Sequence, residues 1–248
     1  MEPLLDNFER ELAEQSEQGS QNWFDIRTGR FTSSEGHRLM KSGKRPMTIE
    51  ELNARPKSGP GSSAKLIDDP RVMSDDTLTY IRTKVAEVLT GQVKEKSFSH
   101  ATAWGEDWEP HAAEFFAKAR NLELEPIGFK AIGDHAGGTV DRIVKGTKTV
   151  VEIKCPYDSA NQVGYLYLVD QFDLKRENPE YYWQCMWNLY FMEADLCYFA
   201  TFDPRMKDDR HKLFVMEIKP IQSEFDLINV KLEVAIREKL ILLNDLTK

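Results

Sequence analysis

The sequence predicts an α/β (α+β) domain, with helices before and after a short mixed sheet. Three observations carry that expectation. Apolar residues recur at helical spacing in several segments, two strand-like runs flank a Lys145-Gly146 turn, and two more strand-like runs follow a later helix. At 248 residues the chain can bury one substantial core, and we read 1–248 as a single domain.

In chain order, residues 4–18 look helical. Ser33-Ser34-Glu35 opens a short helix over residues 35–41, capped by a hydroxyl. Residues 42–64 hold Gly43, Pro46, Pro56, Gly59, Pro60 and Gly61 and read as a long loop; too little chain precedes them for a domain linker. A helix is expected over Asp75–Thr90, with Leu78, Ile81, Val85, Val88 and Leu89 on one stripe and Gly91 ending it. A second is expected over residues 105–119, where Pro110 is acceptable only near the first turn, whose N–H groups are free anyway. Strands at residues 138–144 and 149–155 form a hairpin. A helix at Pro179–Met192, strands at Leu196–Phe202 and Leu213–Ile218, and a closing helix at residues 223–243 complete the reading.

Composition removes several function classes. The net charge of −8 argues against a bulk-basic nucleic-acid coat, though not against a local basic groove. Residues 1–20 contribute −5 of that charge, whereas Arg27, Arg30, Arg38, Lys41, Lys44 and Arg45 form a basic stretch against one acid, Glu35. Cys155, Cys185 and Cys197 make no CxxC pair, which fits a reduced interior and neither a disulfide scaffold nor a zinc ribbon. No apolar run approaches the ~18 residues of a membrane span, and the acidic N-terminus is no signal peptide, so a cytoplasmic protein is expected.

The chemistry concentrates on the hairpin. Side chains alternate along a strand, so Val150, Glu152 and Lys154 share one face while Val151, Ile153 and Cys155 share the other. A turn centred on Gly146–Thr147 pairs residues whose numbers sum to 293, setting Asp141 opposite Glu152. Opposed carboxylates with Cβ atoms ~5 Å apart repel, and a hard divalent cation between them removes the repulsion. Lys154 stands beside them to stabilise developing negative charge. The alternative is a surface cluster in which Lys154 neutralises both acids.

Asp141, eleven residues before Glu152-Ile153-Lys154, resembles the PD-(D/E)xK nuclease pattern, with Val140 in place of the usual proline. Longer strings resemble the lambda exonuclease/YqaJ-like viral recombinase family. They are Trp23 through Arg27-Thr28-Gly29, Thr32-Ser33-Ser34-Glu35, Ala103-Trp104-Gly105 leading to Glu109, Glu152 through Pro156, Gln184 in an aromatic-rich helix, and Tyr198-Phe199-Ala200 through Asp203-Pro204-Arg205-Met206-Lys207. The blocks run in the family's order from about Trp23 to Ile218.

The resemblance implies a restriction-endonuclease-like core and an alkaline-type, metal-dependent 5′→3′ exodeoxyribonuclease on linear double-stranded DNA. It would release 5′-mononucleotides and leave 3′ single strands for recombination. Asp141, Glu152, the Ile153 carbonyl and Glu109 match the family's metal ligands for Mg²⁺, with Mn²⁺ as a substitute and two ions per site; Lys154 matches its catalytic lysine. Glu109 shares a helix face with Ala112, Ala113 and Phe116, so it is expected to point towards the core. Arg27, Ser34, Thr139 (where the family has serine) and Gln184 match a pocket for the 5′-phosphate, a role that suits a guanidinium fork completed by hydroxyl and amide groups. Arg30, Arg38, Lys41 and Arg45 are candidates for non-specific phosphate contacts. The resemblance also implies a homotrimeric ring around DNA, a single-strand annealing protein as partner, and phage or prophage origin. The competing readings are an endonuclease or structure-specific nuclease of the same superfamily and a non-catalytic DNA-end-binding recombination protein. Trp104, Trp108, Trp183 and Trp187 are read as core, and the histidines show no ligand spacing.

Overall fold

The computed structural model describes residues 21–57, 65–93 and 99–248. Helix α1 (Gln21–Arg27), strand β1 (Phe31–Thr32) and a 3-10 helix, Ser33–Arg38, come first. Strand β2 (Ser42–Pro46), helix α2 (Ile49–Ala54), strand β3 (Leu66–Met73) and helices α3 (Asp75–Thr90) and α4 (His100–Arg120) follow. Strands β4 (Leu124–Glu125), β5 (Lys130–Ile132), β6 (Ala136–Gly138), β7 (Arg142–Val144) and β8 (Thr149–Lys154) lead to helices α5 (Ser159–Tyr165), α6 (Gln171–Glu177) and α7 (Pro179–Met192). Strand β9 (Leu196–Phe202), helix α8 (Asp209–Lys212), strand β10 (Leu213–Ile218) and helix α9 (Gln222–Leu246) close the chain.

The main sheet has the order β10-β9-β8-β7-β4, with β8 at its centre; β8 and β9 run parallel and the other neighbours antiparallel. Period-2 alternation divides the core into two. Val150, Cys197, Phe199, Met216 and Ile218 face a large cluster with Trp187 and Leu189 of α7 and Leu232 and Ile236 of α9. Val151, Ile153, Ala200 and Phe202 face Ala112, Ala113 and Phe116 of α4. Each fully buried aliphatic or aromatic side chain contributes ~2 kcal/mol, so the two faces together clamp β8 from both sides. Helices thus cover both faces of a mixed sheet, the α/β architecture that the sequence predicts. Among the described residues no helix is long and apolar enough to cross a membrane.

Two segments differ from expectation in ways that matter for the site. The strand expected at 138–144 is two strands. β6 joins a separate sheet of order β1-β6-β5, and the chain crosses into the main sheet through Thr139–Asp141 before β7 begins. The crossing is fixed at Asp141, whose Oδ2 accepts the Ile153 N–H at 2.6 Å, a side chain taking the place of a ladder carbonyl. The loop expected at 42–64 holds β2 and α2, and β2 pairs antiparallel with β3; residues 58–64 lie outside the described residues, as does the helix expected at 4–18. Arg45 holds this hairpin and α2 together through Asp69 at 2.8 Å and Glu51 at 2.8 Å.

Local boundaries shift for identifiable reasons. The short helix expected at 35–41 is the 3-10 turn, begins at Ser33 and has no side-chain cap bond from Thr32. Helix α4 starts at the Ser99 cap, so Pro110 lies in its interior, where the Glu106 carbonyl lacks the usual N–H donor. Helix α3 has its predicted ends, capped by Ser74 and by Gly91 at φ +68°. Its buried face is rotated from the predicted stripe. Tyr80, Ile81, Lys84, Val85 and Glu87 are inside, and Val88 and Leu89 are exposed.

Candidate active site

The hairpin register is the one that the turn dictates: Arg142 pairs with Val151 and Ile143 with Val150, both summing to 293. Gly146 supplies the positive φ, +72°, that the tight turn needs. One step beyond the last pair, Asp141 stands at the level of Glu152. Glu152 is 1% exposed, on the α7 side of the sheet.

A buried carboxylate needs donors, and Glu152 has three. Lys154 Nζ and Gln184 Nε2 both donate to Oε1, at 2.6 Å and 2.5 Å, and Asn188 Nδ2 donates to Oε2 at 2.7 Å. Gln184 and Asn188 are one helical turn apart on α7, so a single helix face presents two amides to β8. Asn188 is a site residue that the sequence reading missed. Its signal was present: a buried polar pair spaced i, i+4 among Cys185, Met186, Trp187 and Leu189.

Burial, with Glu152 and Glu109 nearby, pushes the Asp141 carboxyl well above the usual aspartate range. Burial and, less strongly, Glu152 raise Glu109, against the opposing charge of Arg142. Glu109 is half-buried and faces Arg142 Nη1 at 3.2 Å, so it is an ion-pair partner at the edge of the α4 cluster and does not point into the apolar core as expected. Arg142 also donates to the Asp141 carbonyl, bringing Glu109 and Asp141 to one guanidinium. Burial opposes the charge on Lys154, but Glu152 and Asp141 outweigh it and raise its pKa above that of an ordinary lysine. Burial, Glu109 and Asp141 push the Cys155 thiol up to about 12, which keeps this neighbour neutral.

Among the described residues no group of three or more His, Cys, Asp or Glu side chains is arranged as a metal cage. The chemistry of the donors nevertheless suits a hard cation. Asp141, Glu152 and Glu109 offer only oxygen, and a divalent ion would offset both the burial and the neighbouring acids that raise Asp141 and Glu109. Ile153 gives its N–H to Asp141, and its side chain anchors the strand in the α4 cluster.

Topology draws the other candidates towards the acids. β1 pairs parallel with β6, Thr32 beside Gly137; the 3-10 turn that carries Ser34 begins directly after β1, and Thr139 directly follows β6, two residues before Asp141. Ser34 Oγ lies 3.3 Å from Thr32 Oγ1, and Thr139 Oγ1 is buried with no partner among the described residues. The Arg27 guanidinium stacks 4.0 Å above Trp23 and faces Phe129 at 5.8 Å. It has no hydrogen bond or ion pair among the described residues; burial lowers its pKa, with Tyr80, Glu35 and Glu87 opposing. Of the 5′-phosphate candidates, Gln184 is the one bonded to an acid, Glu152, among the described residues.

Arg30, Arg38, Lys41 and Arg45 of the basic stretch are occupied within the chain. Arg38 pairs with Glu35 at 3.0 Å and Asp76 at 2.9 Å, Lys41 with Asp76 at 2.6 Å, and Arg30 with Asp134 at 3.8 Å, which leaves them less free for phosphate than the sequence reading has them. Of the tryptophans Trp187 is fully buried, while Trp104, Trp108 and Trp183 are half-buried; Trp104 lies beneath Arg205 at 4.4 Å. Arg205 in turn grips Asp203 and donates to the Pro156 and Tyr157 carbonyls, tying the end of β9 to the segment after Lys154.

The fold is similar to that of an alkaline exonuclease from Laribacter hongkongensis, with a TM-score of 0.67 at 19% identity over 92% of this chain and 96% of that one. The same exonuclease in complex with dAMP gives 0.66, also at 19% identity over 92% and 96% of the two chains. A phage-related exonuclease from Haemophilus somnus 129PT gives 0.60 at 14% identity, over 88% and 96% of the two chains. No curated protein matches the sequence. The model of the YqaJ-like viral recombinase domain matches residues 22–195, a span that holds Arg27, Ser34, Glu109, Thr139, Asp141, Glu152, Lys154 and Gln184. The chain belongs to the YqaJ-like viral recombinase family.

Proposed function

We propose that this protein is a Mg²⁺-dependent nuclease that degrades linear double-stranded DNA from its 5′ ends, releasing 5′-mononucleotides and leaving 3′ single strands. The observation that carries this reading is the group of three acids and one lysine around β8: Glu152 and Lys154 on the central strand, Asp141 at the crossing, and Glu109 from α4. The fold neighbours support it, since one is an alkaline exonuclease also crystallised with dAMP, a nucleoside 5′-monophosphate.

Asp141, Glu152, Glu109 and the Ile153 carbonyl would hold two Mg²⁺ ions, or Mn²⁺ in their place. Such ions acidify water and offset charge on a phosphodiester. Lys154 is kept charged by its acidic neighbours, so it serves as a fixed cationic donor to the scissile phosphate and orients the attacking water. Gln184 and Asn188 hold the Glu152 carboxylate in one rotamer. Arg27, stacked on Trp23 and without a carboxylate partner, receives the terminal 5′-phosphate with Ser34, Thr139 and Gln184. That pocket fixes the distance from the end to the first cut, which gives polarity. A homotrimeric ring with a single-strand annealing partner completes the proposal; the net charge of −8 suits an acidic exterior that keeps DNA to the lumen.

Timed digestion of end-labelled duplexes tests the polarity. The expected result is early release of the 5′ label as a mononucleotide, with covalently closed circles untouched. Cleavage of closed circles would make the protein an endonuclease.

A further inference from the structure

The turn that follows Arg27 is held by charges that have no part in the chemistry above. Gly29 has φ +71°, and a Cβ there would run into Val88 of α3, so the turn is packed tightly against that helix. Its N–H donates to Glu87 Oε2 at 3.0 Å, and its carbonyl accepts from Lys239 Nζ at 2.9 Å. Glu87 is in turn bridged by Lys84 Nζ, at 3.0 Å and 3.1 Å to its two oxygens. Lys84, Glu87 and Lys239 are each no more than 3% exposed.

Burying three charges is expensive, and packed apolar residues at such positions are often as stable or more so. The spending falls on one short segment. Lys84 Nζ also lies 3.6 Å from Glu35 Oε2, and the Tyr80 hydroxyl accepts the Thr32 N–H at 2.9 Å, so the same face of α3 holds the backbone on both sides of Phe31. Lys239 reaches this segment from α9, 210 residues along the chain. The segment so clamped runs from Arg27 to Ser34, whose side chains are the pocket candidates.

We infer that Glu87 and Lys239 are positioning residues that clamp the Gly29 peptide and thereby aim the Arg27 guanidinium at a terminal phosphate. This rests on the end-phosphate reading of Arg27 given above. A guanidinium stacked on an aromatic ring has its plane fixed, and its forks then depend on where the backbone places Cα. A displacement of about 1 Å is enough to lose most of an oriented contact.

The test uses the full-length protein and matched linear duplexes with 5′-phosphate or 5′-hydroxyl ends, with kcat and KM measured for each. Lys239→Met keeps the length and apolar packing of the stem and removes the buried charge, so it is expected to fold; urea denaturation verifies this. The variant should lose about tenfold or more of the wild-type preference for phosphorylated ends, through KM, with kcat on hydroxyl ends unchanged. Lys239→Arg, which restores a donor, should recover part of the preference. A smaller loss in Lys239→Met, or equal losses on both ends, overturns the clamp as a positioning device. Should Lys239→Met not fold, Glu87→Gln, which keeps an acceptor for the Gly29 N–H, should hold the preference where Glu87→Leu loses it; equal preferences in the two would overturn the clamp. A wild-type protein with no preference for phosphorylated ends instead removes the end-phosphate reading, and the clamp's role with it.

Discussion

Glu152 shows how much of this protein's chemistry is decided at single side chains. It is buried on an otherwise apolar strand face, and three donors from two elements hold it there. Removing one donor should disturb the carboxylate without exposing it. Asn188→Leu is therefore expected to raise the Mg²⁺ concentration for half-maximal activity by about 10–100-fold while DNA binding persists, which a metal titration of the cleavage rate measures. Arg27 is the complementary case, a stacked guanidinium with no ion pair among the described residues. Arg27→Ala should abolish the preference for 5′-phosphorylated ends, and Arg27→Lys should not restore it, because an ammonium neither forks onto two oxygens nor stacks in the same way. Competition between phosphorylated and hydroxyl-ended duplexes reads both.

Elements position these residues, and here the closeness of packing between the 3-10 turn and α7 decides. A Cβ on Gly36 would enter the ring of Trp187, which is fully buried. Gly36→Ala should lower stability by about 1–3 kcal/mol and push the turn bearing Ser34 away from the helix bearing Gln184. Urea denaturation measures the first effect; a weakened preference for phosphorylated ends measures the second. The ends of α3 and α7, and of the strands β9 and β10, were legible to the residue, although the buried face of α3 was not. So was the hairpin register, because a tight turn leaves one pairing. The 138–144 run was misread because nothing in Thr139-Val140-Asp141 announces a change of sheet; the cause is long-range, an Asp141 carboxylate bonded to the Ile153 N–H. Residues 42–54 were misread because Gly, Pro and polar residues suit edge strands as well as loops, and the Arg45 ion pairs that settle the matter reach Glu51 and Asp69. The acids and Lys154 were legible from motif spacing, whereas Asn188 and the buried Lys84–Glu87 pair were hidden because an amphipathic template counts polar residues as exposed.

At the scale of the whole molecule, the clamp ties the C-terminal helix to the first described turn, and its charge carries a pH signature. Burial, with Arg30 and Lys84 adding to it and Glu87 and Asp134 opposing, lowers the Lys239 pKa to about 8 from 10.5. The unfolded chain therefore binds more protons between these values, and this group's contribution to stability rises with pH across that window. Below pH 8 the charged form costs the folded state about 3 kcal/mol, a cost relieved as pH approaches 10.5. The stability of Lys239→Met relative to wild type should accordingly be greatest at neutral pH and fall towards pH 10.5; a difference that does not change with pH would contradict the buried charge. The central claim, that the carboxylates and lysine around β8 form a hydrolytic centre, has a more direct test. Lys154→Ala and Asp141→Ala should each bind a linear duplex as wild type does and release no mononucleotides from it in Mg²⁺, and mononucleotide release at the wild-type rate by either variant would contradict the account.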